Sequence, residues 1–155
     1  MPGRLKSEIK QTRPFTSTQE EVVLSMLRTA DHLAVPMTEV LREVSLSLSQ
    51  YNVLRILRGA GDDGLSSGEI SERMVRRDPD LTRLLDRLEA RELVGRKRGT
   101  TDRRVVRATI TREGLRLLAS LDERVEKTLK QTLAHMPKAR LTLLCELLEE
   151  ARSAE

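Results

Sequence analysis

Between Arg96 and Thr111 the chain reads RKRGTTDRRVVRATIT, placing Arg96, Lys97, Arg98, Arg103, Arg104 and Arg107 against one acid, Asp102. Cationic side chains at this density suit phosphate oxygens, and arginine also suits the narrow minor groove, where negative potential is focused. An acid in such a cluster repels phosphate unless it organises the loop. Asp102 is therefore expected to pair with Arg103 or Arg104 and leave the other free to insert. A second basic group lies upstream. In PDLTRLLDRLEARE, Arg83 and Arg87 stand one helical turn apart beside Thr82, where they could meet base edges, and Arg76 and Arg77 precede them within reach of phosphates. Asp80 belongs to the same DNA-facing set and is also spaced to pair with Arg83.

The elements that must hold these groups follow from pattern. Leu81, Leu84, Leu85 and Leu88 fall at i, i+3, i+4 and i+7, so one stripe faces a core while the basic residues point away. Asp78 is a good N-cap, and Pro79 suits the first helical position. The runs Leu93 to Arg98 and Val105 to Ile110 are expected to pair as a β-hairpin around the loop Gly99 to Arg104. Upstream, LSSGEISERM reads as a short helix capped by Ser66 or Ser67, ended at RRDP. GAGDDG, Gly59 to Gly64, has the glycine spacing of a phosphate loop but lacks its Lys and Ser/Thr, so it reads as a turn.

Four further apolar-periodic segments surround this region. Ser17 with Glu20 forms a capping-box pattern ahead of Val23, Met26, Leu27, Ala30 and Leu33. Pro36 should bend or split that helix before Met37, Val40, Leu41 and Val44, so one bent helix or two in series both fit. Ser49 caps the next segment, whose Tyr51 packs in the core with Val53, Leu54 and Leu57. Thr111 caps a long helix through about Ala134, Pro137 breaks it, and a last helix carries Leu141, Leu144, Cys145 and Leu148 along one side. On that stripe Cys145 is expected to be a buried packing residue rather than a redox switch. The first fifteen residues are polar and read as an arm.

Net charge is +4 over 155 residues, but the excess is local: Arg73 to Arg107 holds twelve basic residues against six acidic, a net of +6. That is the footprint of a face for a polyanion. One cysteine and two histidines, His32 and His135, offer neither a disulfide nor metal-ligand spacing, and no nucleophile, acid/base pair or cofactor loop stands out. The expectation is therefore no enzyme, no metal and no cofactor. Phe15 and Tyr51 are too few aromatics for a single-strand stacking platform. With no apolar run long enough to cross a bilayer and no apolar leader, a cytoplasmic protein without a membrane partner is expected.

Helix, short helix, turn, amphipathic helix and basic hairpin together describe a winged helix-turn-helix, in which the second helix of the pair fits the major groove. The fold class is mainly α with a small β-hairpin wing (α+β). It is divided as an arm at 1–16, dimerisation helices at 17–47 and 111–153, and a DNA-binding lobe at 48–110, all in one domain, 1–155. Leucine stripes too long for one lobe to cover point to a homodimer.

SQYNVLRIL, PDLTRLLDRLEARELVGR and DRRVVRATITREG resemble the MarR family of bacterial transcription regulators, in order and spacing from about Ala30 to Glu150. The resemblance implies a dimer of interlocked terminal helices bearing two winged lobes. It also implies binding to a pseudo-palindromic double-stranded operator, and repression relieved by a small aromatic or lipophilic effector. The family's Asp-x-Arg wing motif falls on Asp102 and Arg104, and its Leu-Thr-x-x-Gly appears as Ile110, Thr111 and Gly114. Pro36 departs from a segment that is usually one continuous helix, and the N-terminal cysteine of oxidation-sensing members is missing. The alternative from charge alone is a non-specific architectural DNA binder.

Overall fold

A computed structural model describes residues 4–99, 102 and 104–153. The chain divides into two compact units, Met1–Pro36 and Met37–Glu155. In the first, the expected arm carries one short helix, α1 (Arg4–Glu8), and α2 (Thr18–Arg42) begins after it. Ser17 caps α2 as its position suggested, its hydroxyl accepting the Glu20 N–H at 3.1 Å. Glu20 does not close the reciprocal half of the box. Its carboxylate accepts from the Thr16 hydroxyl and N–H instead, and these bonds hold its pKa below the ordinary value. α2 runs through Pro36 as one helix: the missing N–H removes a single rung, which the neighbouring turns tolerate. Val22, Val23 and Leu27 on this helix stay exposed.

The second unit holds the main core. The last turns of α2 bury Met37 and Leu41. Leu46 closes the helix end by bonding back to Leu41 O, with Ser45 in the left-handed region at φ 54°. α3 (Leu48–Ala60) is capped by Ser47, not Ser49. The Ser47 hydroxyl takes the Gln50 N–H, and the Gln50 side chain takes the Ser47 N–H. Tyr51, Val53, Leu54 and Leu57 then face inward. A single 3-10 turn, Gly61–Asp63, follows, so the GAGDDG segment is the expected turn and not a phosphate loop.

A strand absent from the sequence reading comes next: β1 (Leu65–Ser66). With β2 (Val94–Arg98) and β3 (Val106–Ile110) it makes an antiparallel sheet of order β1-β3-β2. Two residues are too few to carry a period-2 signal, and Leu65 and Ser66 are recruited by pairing with Ala108 and Arg107. Ser66 also caps α4 (Ser67–Arg73) in a complete capping box with Glu69. Those bonds, with help from Arg107, hold the Glu69 carboxyl below its ordinary range.

α5 (Leu81–Ala90) buries Leu81, Leu84, Leu85 and Leu88 against α3, α4 and the sheet. It starts two residues later than Pro79, with Asp80 at the N-cap and no side-chain cap bond. Asp78 closes a local turn instead, accepting the Asp80 N–H at 2.9 Å. α6 (Arg112–Thr132) is capped by Thr111, as expected, through the Gly114 N–H at 3.0 Å, and buries Leu118, Leu121 and Val125. A side chain at Gly114 would collide with the Leu93 carbonyl and Ile110, which explains a glycine in the first turn of this helix.

α7 (Lys138–Arg152) buries no residue within the chain, and Leu143 and Leu147 are about half exposed. Cys145 is exposed as well, so the expected buried packing cysteine is corrected. Leu141, Leu144 and Leu148 on the same stripe are half-buried. Among the described residues no helix is long and apolar enough to cross a membrane.

Candidate nucleic-acid interface

The leucine stripe of α5 fixes what its other side presents. Thr82, Arg83, Asp86, Arg87 and Glu89 are exposed because Leu81, Leu84, Leu85 and Leu88 occupy the inward positions. Arg83 keeps a loose contact with Asp80, 3.5 Å between Nε and Oδ2, with its side chain three-quarters exposed. Such an exposed pair contributes little and yields readily to a stronger anion. Arg76 and Arg77 are exposed in the α4–α5 connection, where the Asn52 side chain accepts the Val75 N–H. Among the described residues Arg76, Arg77 and Arg87 have no ion-pair partner.

α5 ends in a tight turn. Glu92 bonds back to Glu89 O and Leu93 to Leu88 O, which places Glu92 at φ 57°. The guanidinium of Arg91, at the same turn, donates to the carbonyls of Ser45 and Val44 at 2.7 and 2.9 Å. It thereby ties the end of α5 to the turn that follows α2. β2 leaves this turn and pairs with β3 in the register Val94↔Ile110 through Arg98↔Val106.

The basic residues of the hairpin divide into two sets. Arg107 is turned inward on β3: its guanidinium donates to the carbonyls of Asp63 and Gly64 and lies 3.4 Å from Glu69. Arg96 is turned toward α5, 2.8 Å from Asp86 and 3.6 Å from Glu89, with a longer bond of 3.4 Å to Thr82 O. Lys97, Arg98 and Arg104 are exposed, without an ion-pair partner among the described residues. Arg103 lies outside the described residues.

Asp102 does organise the loop, by a bond to the Arg104 backbone, while the expected pair with Arg103 lies outside the described residues. Its Oδ1 accepts the backbone N–H of Arg104 at 2.9 Å, while its carbonyl takes Val105 N–H. The Gly99 N–H then closes the hairpin on Val105 O at 2.7 Å. A Cβ at Gly99 would stand 2.7 Å from the Asp102 carbonyl oxygen, so the tip requires glycine there. Of the groups singled out from sequence, the recognition-helix set and Lys97, Arg98 and Arg104 are thus presented outward, while Arg96 is engaged within the fold. The β1 strand and the struts from Arg91 and Arg107 were missed, because their partners lie 41 to 47 residues away.

Comparison with known proteins follows the same division of the chain. The family model described as MarR family matches residues 46–106. The HTH-type transcriptional regulator MhqR of Bacillus subtilis is 34% identical over 82 residues, 53% of this chain and 55% of that one. The matched stretch thus spans about half of each protein. A crystal structure of a MarR transcription factor from Planctomyces limnophilus is 38% identical, with a TM-score of 0.67, covering 88% of this chain and 98% of that one. BpsR of Bordetella bronchiseptica, whose DNA binding is described as regulated by 6-hydroxynicotinic acid, shares the fold at a TM-score of 0.80. It is 22% identical, over 92% of this chain and all of that one.

Proposed function

The chain belongs to the MarR family of transcription regulators, whose members here are regulators and not enzymes, and from that premise we propose that it is a homodimeric repressor of a pseudo-palindromic operator. The observation that carries the proposal is the outward row on α5, with Thr82, Arg83 and Arg87 opposite four buried leucines. A helix held this way fits the major groove, where arginine forms a bidentate pair with guanine. Arg76, Arg77, Lys97 and Arg98 take phosphates. Arg104, held at the loop by Asp102, enters the minor groove together with Arg103. Asp80 keeps Arg83 extended until a base or phosphate replaces it.

Dimerisation has its own support. Val22, Val23 and Leu27 on α2, and Leu143 and Leu147 on α7, are exposed apolar side chains at helical spacing, a pattern that burial against a second copy would relieve. A dimer seated on its site blocks transcription by occupancy. Release by a small aromatic or lipophilic ligand is the remaining part of the proposal, and BpsR, of the same fold, is a precedent for a small aromatic acid controlling DNA binding.

The test is selection of preferred sites from a random duplex pool, with the mass in solution measured at micromolar concentration. An inverted repeat with half-sites one helical turn apart, ~10 base pairs, together with a dimer mass, is the expected result. Tight, salt-sensitive binding without enrichment would make the protein a non-specific architectural binder. A monomer at micromolar concentration would remove the dimer.

A further inference from the structure

Arg96 sits in the most basic stretch of the chain, yet its guanidinium faces α5. It lies 2.8 Å from Asp86 and 3.6 Å from Glu89, with a 3.4 Å bond to the Thr82 carbonyl, and its side chain is only a quarter exposed. We infer that Arg96 is a positioning residue that clamps the wing to the recognition helix and masks two helix carboxylates from DNA, and is not itself a phosphate ligand. This rests on the DNA-binding reading above and deepens it.

Three observations support it. First, the contacts reach three residues of α5 spread over two helical turns, Thr82, Asp86 and Glu89, which a planar guanidinium can bridge and a single ammonium cannot. Second, Arg96 is the outermost side-chain tie from β2 to α5. Beyond it Lys97 and Arg98 are exposed and unpaired among the described residues, so the angle between wing and helix is set at this point. Third, Asp86 and Glu89 lie on the exposed side of the helix with Arg83 and Arg87, where they would repel a phosphate backbone. A guanidinium between them lowers that repulsion locally. Because both carboxylates are about half exposed, the pairs add little to stability, and an Arg96 variant is expected to fold.

The experiment measures affinity of the full-length protein for a duplex recovered by the site selection, across a series of salt concentrations. Thermal melts run alongside to verify folding. For Arg96→Ala, affinity falls about tenfold while the slope of log affinity against log salt stays at the wild-type value. For Lys97→Ala, a phosphate ligand, the slope falls by about 0.9. Arg96→Lys keeps the charge but behaves like Arg96→Ala. Adding Asp86→Asn to Arg96→Ala restores part of the lost affinity, because the uncovered carboxylate is gone.

An Arg96→Ala slope lowered by about one, with Arg96→Lys close to wild type, would make Arg96 a direct phosphate ligand and overturn the inference. Unchanged affinity in Arg96→Ala would overturn it as well. If the wild type binds no duplex, the DNA-binding reading fails, and this inference with it; if only the Arg96 pattern differs from expectation, that reading stands.

Discussion

α5 and the β2–β3 hairpin are both rich in arginine, but they arrive at their surfaces by different physics. On the helix, four leucines at helical spacing are buried, and every polar side chain is forced to the other side. Arg83 and Arg87 are exposed because of their neighbours in sequence. On the hairpin, charge is sorted by partners from elsewhere in the chain. Asp86 and Glu89 hold Arg96, Glu69 with the Asp63 and Gly64 carbonyls holds Arg107, and Lys97, Arg98 and Arg104 are left outward. A helix therefore presents its cations by periodicity, and a wing presents those that remain after the fold has used the rest.

The largest effect that would sharpen this contrast is on the helix side. Arg83→Ala should cost roughly 1–3 kcal/mol of operator binding, about a fivefold to hundredfold loss, and relax base preference at one position of each half-site. Binding titrations on single-base variants of the operator check this. A uniform loss across all variants would instead make Arg83 a phosphate contact.

On the hairpin side a smaller loss is expected. Asp102→Ala removes the acceptor for the Arg104 N–H and loosens the tip, which should weaken DNA binding about threefold to tenfold. Because the loop is exposed, the melting temperature should hardly move. Unchanged or tighter binding would show that Asp102 acts only as a repelling charge.

At the joint between the two regions, Glu92 occupies a left-handed conformation that a side chain disfavours and glycine adopts freely. Glu92→Gly is expected to stabilise the protein by roughly 0.5–1 kcal/mol in denaturant unfolding, the glycine's extra unfolded-state freedom offsetting part of the relief. Destabilisation would mean that the Glu92 side chain makes a contribution larger than its backbone strain.

The smallest effect concerns the anchor of Arg107. The Ser66 N–H and hydroxyl, with Arg107, depress the pKa of Glu69 in the folded state. A depressed carboxylate contributes stability that is present above its unfolded pKa and is lost as pH falls through the folded one. Thermal melts of the wild type should therefore drop more between pH 5 and 3 than those of Glu69→Gln, about those ordinary carboxylate values. Parallel curves would show that the cap does not depend on the charge.

Much of this was legible along the chain. The α5 stripe, the Thr111 cap, the two hairpin strands and the resemblance in DRRVVRATITREG all rest on residues within a few positions of one another. Cap choices were less secure. Ser47 rather than Ser49 starts α3, because the Gln50 side chain completes the box only from there. Cys145 was misplaced for a related reason: an apolar stripe shows which face seeks cover, and along α7 Leu141, Leu144 and Leu148 are only partly covered while Cys145 is exposed.

By itself, then, the sequence determined which residues share a face, since helical and strand periods act over neighbours and turn charge order into surface order. The tertiary structure decided which arginines remain available. Short-range pattern carries no record of partners such as Glu69 for Arg107, Asp86 for Arg96, or the Val44 and Ser45 carbonyls for Arg91. Those groups meet only after the core has brought α2, α4, α5 and the sheet together, and a guanidinium goes to whichever acceptors packing places within hydrogen-bond reach.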